Sequence, residues 1–184
     1  MAPPRRRLAA SASWRHTCAP PPRIPRPPLP QHPPNVLFSR RTHYLAHPRH
    51  DGKIVRRLEN EDAIYAHLAA AEPAGARAAF AMVNGLFSEQ SLREQVAAAQ
   101  AACVLVGAHG AGLSHALFAP PGAHLLELRP PSFMRPHFIA YAAWAGVRHH
   151  DWPLLGGAPE PRDVEARLRS VLAIATAAGD AATG

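Results

Sequence analysis

Four apolar residues, Cys103-Val104-Leu105-Val106, run without a break into Gly107-Ala108-His109-Gly110-Ala111-Gly112, and an apolar stretch from Leu113 to Phe118 follows directly. A short apolar run is a buried strand, glycine at its end lets the backbone turn sharply, and the stretch beyond it opens a helix. A chain that hands a buried strand to a helix in this way is building βαβ units, because a parallel partner strand is reached only through such a crossover.

The same order recurs on both sides of this segment. Val36-Leu37-Phe38 is a short apolar run ending at Ser39-Arg40-Arg41, and Thr42 to Arg57 is polar and broken by Pro48 and Gly52, which predicts a loop. Asn60 followed by Glu61 and Asp62 supplies an N-cap with acids in the first turn, and Ile64 and Leu68 share a face, so a helix is predicted over 60–71. Ala79 to Val83 reads as a second strand, closed by Asn84-Gly85. Ser91-Leu92-Arg93-Glu94 is a capping box opening a helix to Ala102. Past the glycine cluster come Pro120-Pro121-Gly122 as a turn, His124 to Leu128 as a fourth strand, Pro136 to Ala145 as a helix and Val147 to Asp151 as a short strand. Val164, Leu168, Val171, Leu172 and Ala175 form the stripe of a last helix. The fold class expected is α/β: a doubly wound, Rossmann-like parallel sheet of about five strands with right-handed crossovers, which binds ligands at the carboxyl ends of its strands.

Eleven of the 21 prolines lie in the first 35 residues, with six arginines and no acid. Proline removes donors and apolar residues are too thin there to offset the ordering entropy, so 1–34 is expected to be a disordered tail. The domain is expected over 35–178, with 179–184 a flexible C-terminus. The net charge of +7 belongs to the tail, since the remainder is nearly neutral. The nucleic-acid reading that a pI of about 10.6 invites therefore rests on the tail alone. Cys18 and Cys103 build neither a disulfide framework nor a zinc cluster. No apolar run of about 18 residues is present to span a membrane. The opening MAPPRRRLAASASWRHTCA shares arginine, serine and a lack of acids with organelle transit peptides, although compositional bias gives the same residues.

The turn Gly107 to Gly112 can bring bare backbone and N–H groups to an anion, for which a diphosphate is the natural guest, and a tight unliganded turn requires glycine as well. Both readings remain open on spacing alone, since the segment matches neither GxGxxG nor GxxxxGK[ST]. His43, His47 and His50 have spacing that could ligate a metal but lie in a loop of a histidine-rich chain.

The block Ser88 to Val96, the segment Val104 to Phe118 with its His109-Gly110-Ala111-Gly112-Leu113 core, Pro121-Gly122-Ala123 and Leu126-Glu127-Leu128 together resemble family 61 glycosyltransferases, a family that includes plant β-1,2-xylosyltransferases and EGF-domain-specific O-GlcNAc transferases. The strand end Ser39-Arg40-Arg41, the Asn60-Glu61 helix start, and Trp144-Ala145-Gly146 ahead of Trp152 agree in order and spacing, so the resemblance spans about 35 to 155. It implies the donor-binding, C-terminal half of a GT-B fold and an inverting, metal-independent transfer from a UDP-sugar, with no cofactor besides that donor. Family membership points to UDP-linked xylose, N-acetylglucosamine or arabinose, to a glycan or glycoprotein hydroxyl as acceptor, and to the Golgi or endoplasmic reticulum lumen. Carried over by position, Arg40 meets the donor phosphates and His109 lies against phosphates or sugar. Gly110, Ala111, Gly112 and Leu113 supply backbone donors, Ser114 a secondary contact, and Glu127 accepts from donor hydroxyls. The bland readings are a solvated charge for Arg40, capping or pairing with Arg129 for Glu127, and packing for His115.

Inverting transfer needs a general base for the acceptor hydroxyl and positive charge at the leaving diphosphate. The residues read above account only for the second, and no base is assigned. Three classes of function follow: a glycosyltransferase, a nucleotide-sugar-binding module without turnover, and a nucleic-acid-associated protein driven by the tail.

Overall fold

The computed structural model describes residues 34–41, 58–71, 80–131 and 135–180. The tail up to residue 33, the predicted loop 42–57 with its three histidines, and residues 181–184 lie outside these.

Five strands alternate with helices throughout. They are β1 (Asn35–Ser39), β2 (Ala81–Gly85), β3 (Val104–Ala108), β4 (His124–Arg129) and β5 (Arg148–Pro153). Helix α1 (Glu61–Ala70) joins β1 to β2, and α2 (Leu92–Ala101) joins β2 to β3 after a 3-10 turn at Phe87–Glu89. A 3-10 helix (Ala111–Phe118) joins β3 to β4, α3 (His137–Ala145) joins β4 to β5, and α4 (Pro161–Asp180) follows β5. Every pairing is parallel, in the order β2-β1-β3-β4-β5. The expected α/β class with a five-stranded parallel sheet is what the chain forms.

Strand alternation divides the core in two. Val36, Phe38, Val104, Val106, Leu126 and Leu128 face α1 and α4, against Ile64, Leu68, Val164 and Leu168. Leu37, Leu105 and Leu125 face the other way, against Ala99, Leu113, Ala116, Phe138 and Ala142. The chain is thus wound on both faces of the sheet. It reverses direction between β1 and β3, whose carboxyl ends open the crevice where such sheets hold ligands.

The predicted elements appear with small shifts. The second strand lies at Ala81–Gly85 rather than 79–83, because Phe80 is spent filling the core before the strand begins and Gly85 pairs with Ser39. A Cβ on Gly85 would come within 3.0 Å of the Phe38 carbonyl carbon, so the apolar run alone misplaced that strand. The segment after the glycine cluster is a 3-10 helix, and the last helix starts at Pro161, the favoured first position, and continues to Asp180.

The two predicted N-termini differ. Ser91 makes the full capping box: its hydroxyl accepts from the Glu94 backbone N–H at 3.4 Å, and Glu94 accepts from the Ser91 backbone N–H at 2.7 Å. The Ser91 hydroxyl also donates to Glu94 Oε2 at 2.6 Å, and this bond, with the backbone one, holds the Glu94 carboxyl below its ordinary range. Asn60 stands at the N-cap of α1 but its side chain does not cap; its Nδ2 donates to the Pro159 carbonyl at 2.7 Å, tying α1 to the loop before α4.

Candidate donor-binding site

At the end of β1 the alternation of the strand separates two adjacent arginines. Leu37, Ser39 and Arg41 project toward the face carrying the 3-10 helix; Phe38 and Arg40 project toward α1. Arg40 is engaged there. Its Nη2 donates to Asp62 Oδ1 at 2.6 Å, Nη1 to Asn84 Oδ1 at 3.4 Å, and its guanidinium lies 4.4 Å from the centre of the Tyr65 ring. Arg41 lies on the glycine turn instead. Its Nη2 donates to the His109 carbonyl at 3.2 Å, and its backbone N–H donates to Glu61 Oε2 at 2.8 Å. The buried Glu61 thus accepts from the chain just past the end of β1.

The glycines of the turn are explained by how closely it approaches β1. A Cβ on Gly107 would come within 2.9 Å of Ser39 Cβ and of the Ser39 carbonyl. One on Gly112 would overlap the Ser39 hydroxyl, and one on Gly110 would fall on the Arg41 guanidinium. Ser39, buried, is thus the residue against which the start of the 3-10 helix seats. Leu113 closes that first turn with its N–H on the Gly110 carbonyl at 2.9 Å, and its side chain is core; Ala111 is exposed, and Gly112 and Ser114 are half-buried.

Beneath the turn sits a buried carboxylate shared by two histidines. Glu127, 3% exposed, accepts from His109 Nδ1 through Oε1 and from His149 Nε2 through Oε2, the latter at 2.7 Å. Burial opposes ionisation of Glu127, but the hydrogen bonds from His149 and His109 outweigh it and hold the carboxyl below its ordinary value of 4.5. His109 has no exposed surface. Its ring meets the edges of His137 and Phe138 at centroid distances of 5.1 and 5.0 Å, and its backbone N–H donates to the Leu128 carbonyl at 2.9 Å. Donation from Nδ1 to a carboxylate sets the orientation of the ring.

From the side of α2, His115 braces the same turn. Its ring stacks on Phe87 at 3.8 Å, with Nδ1 2.9 Å from the Gly112 carbonyl and Nε2 2.9 Å from Gln95 Oε1. Gln95 in turn donates to the Phe87 and Gln90 carbonyls, each at 2.9 Å. Packing is the role the sequence suggests for His115; the ring does pack on Phe87, and both its nitrogens are hydrogen-bonded as well.

Of the residues nominated from sequence, the fold gathers His109, the turn Gly110 to Ser114 and Glu127 at the ends of β3 and β4, while Arg40 turns to α1. Ser39, Arg41, Glu61 and His149 join the site without having been nominated. Period-two counting from Leu37 was the signal for Ser39 and Arg41. Nothing in the sequence near His149 pairs it with Glu127; the register Leu125↔His149 does.

The sequence model of one protein family, described as Glycosyltransferase 61, matches residues 5–126. The chain belongs to glycosyltransferase family 61. It is 41% identical over 142 residues to a β-1,2-xylosyltransferase of Arabidopsis thaliana, covering 75% of this chain and 27% of that protein. It is 40% identical over 138 residues to the β-1,2-xylosyltransferase RCN11 of Oryza sativa subsp. japonica, covering 75% of this chain and 26% of that one. The chain thus spans about a quarter of the length of these relatives. The family match takes in the glycine turn, Ser39, the two arginines and Glu61, and it begins inside the proline- and arginine-rich opening.

Proposed function

We propose that this chain carries the nucleotide-sugar donor site of a family 61 glycosyltransferase, and that the donor diphosphate lies in the crevice between the carboxyl ends of β1 and β3. One observation carries this reading: in a chain of this family, a guanidinium from β1 lies across the glycine turn that leaves β3, at the point where the sheet order reverses. Backbone N–H groups at the start of the 3-10 helix and the positive charge beside them suit an anion that must leave with its charge stabilised. Ala111, Gly112 and Ser114 are the residues of the turn with exposed surface to offer such a ligand.

The xylosyltransferase relatives favour xylose as the sugar, and the family resemblance implies a UDP-linked donor, with UDP-xylose the first to test, and a glycan or glycoprotein hydroxyl as acceptor. An inverting mechanism on a GT-B framework in the secretory lumen, requiring neither metal nor further cofactor, is part of the same proposal. Among the described residues no helix is long and apolar enough to cross a membrane.

The test is calorimetric titration of the 184-residue chain with UDP, UDP-xylose, UDP-N-acetylglucosamine and, as controls, ADP and GDP. Binding of uridine nucleotides over the controls supports the reading. Absence of nucleotide binding by a chain whose circular dichroism and unfolding transition show it folded overturns it.

A further inference from the structure

The proposed donor site depends on a cation at the glycine turn, and two arginines compete for that position. We infer that Arg41, not Arg40, meets the diphosphate, and that His149, Glu127 and His109 are positioning residues that hold Arg41 in place without touching the ligand. This rests on the donor-site reading above for its ligand, but not for its geometry.

The chain of contacts runs through the sheet edge. His149 on β5 donates to Glu127 on β4, Glu127 accepts from the His109 ring beyond β3, and the His109 carbonyl accepts from Arg41 beyond β1. Four strands are thereby tied in one line. A main-chain carbonyl is a fixed acceptor only if its residue is fixed, and His109 is fixed on two sides: by the Glu127 carboxylate at its ring and by the Leu128 carbonyl at its N–H. A histidine with no exposed surface is poorly placed to touch a sugar or a phosphate, but well placed to set the height of the turn above it.

The other end of Arg41 is held as firmly, by Glu61 at its backbone N–H. The guanidinium carries five N–H donors in one plane, so with Nη2 on the His109 carbonyl other donors of the fork can still meet a diphosphate. Gly110 leaves room for it to lie directly on the turn, where any side chain would collide. Arg40 lies elsewhere: its guanidinium pairs with Asp62 and lies over Tyr65, and both belong to the far face of the sheet. Its side chain stabilises the junction of β1 with α1.

The experiment uses the full chain, with UDP as the probe, and two readouts. In nucleotide-free protein, the Nη signals of Arg41 in 15N spectra, assigned by their loss in Arg41→Gln, report rotation of the guanidinium. They should be resolved in the wild type and averaged in Glu127→Gln and in His149→Gln. In titrations, Arg41→Gln should weaken UDP by about tenfold or more, as expected for loss of a charge-assisted bond, and Arg40→Gln by less than about twofold. Glu127→Gln and His149→Gln should each weaken UDP by about three- to tenfold, and this loss should vanish in an Arg41→Lys background, because a lysine does not read the orientation the cluster sets.

A larger loss from Arg40→Gln than from Arg41→Gln overturns the assignment of the cation. A Glu127→Gln effect that persists undiminished in Arg41→Lys, or Arg41 signals indifferent to Glu127, overturns the positioning role. If the wild type binds no UDP, the donor-site reading fails while the spectra still decide whether the cluster holds Arg41.

Discussion

Strands β4 and β5 bury histidine twice, on opposite faces, and the two burials differ in kind. On the α4 side, His124 Nδ1 and His150 Nε2 meet at 2.8 Å with the rings nearly parallel. On the α3 side, His149 of β5 and His109, which follows β3, meet the Glu127 carboxylate of β4. A contact between two imidazole nitrogens needs a proton on one and a bare lone pair on the other, so the two rings cannot both be charged and keep it. Burial, and then the charges of Arg148, Arg167 and His149, hold His150 below its ordinary value of 6.5. The carboxylate accepts from both of its rings at once and stays ionised despite burial. The difference teaches that a buried histidine becomes a fixed support when an acceptor is built beside it, and this support lies beside the glycine turn.

If that contrast is right, its largest consequence is at Glu127. Glu127→Ala removes the acceptor of two buried donors and should cost about 3 to 5 kcal/mol in urea unfolding, the range for breaking a buried charged cluster. Glu127→Gln should cost less. Because the folded Glu127 carboxyl lies below its ordinary value of 4.5, its contribution is present above that pH and lost as pH falls through the folded value, so the wild type and Glu127→Gln should converge in acid. A loss from Glu127→Ala no greater than that from the His150 variant below would break the comparison.

At the other cluster, His150→Leu strips His124 of one bond and should cost about 1 to 3 kcal/mol. A folded value below 6.5 means that the unfolded chain takes up the proton first, so this contribution is full above pH 6.5 and fades as pH falls toward the folded value. Unfolding measured against pH should therefore show the two clusters failing in separate windows, His150 first. A single common window would show them to be coupled.

The glycine turn sharpens the point from above. Gly112→Ala pushes a methyl group onto the Ser39 hydroxyl and should cost about 1 to 3 kcal/mol by overpacking, with most of it recovered in Ser39→Ala/Gly112→Ala. Failure of that rescue would mean that the turn is held from below alone. The smallest effect is expected at Ser91→Ala, about 1 kcal/mol for loss of a helix cap, with UDP affinity unchanged because the capping box lies outside both clusters. It supplies the baseline against which loss of affinity in the cluster variants is judged.

How much was legible follows the range of the forces. The five strands, the capping box at Ser91 and the stripe of α4 come from local pattern, because which residues an amphipathic segment buries is written in its own periodicity. Edge strands were harder: β2 and β5 are only partly buried, so their bounds are set by register with a neighbour rather than by a run of apolar residues. Asn60 shows the same limit at a helix start, where Pro159, almost a hundred residues away, claims the side chain that local capping preference assigns to the helix.

By itself the sequence determined the α/β class, the glycine turn between β3 and its helix, and membership of family 61, since each is carried by residues close together in the chain. Only the tertiary structure decided that Arg41 rather than Arg40 lies on that turn, and that Glu127 spends both oxygens on histidines. The reason is physical: a side chain's partner is chosen by which strand lies beside its own and which face it takes, and that neighbour is reached through crossovers whose outcome no local pattern records.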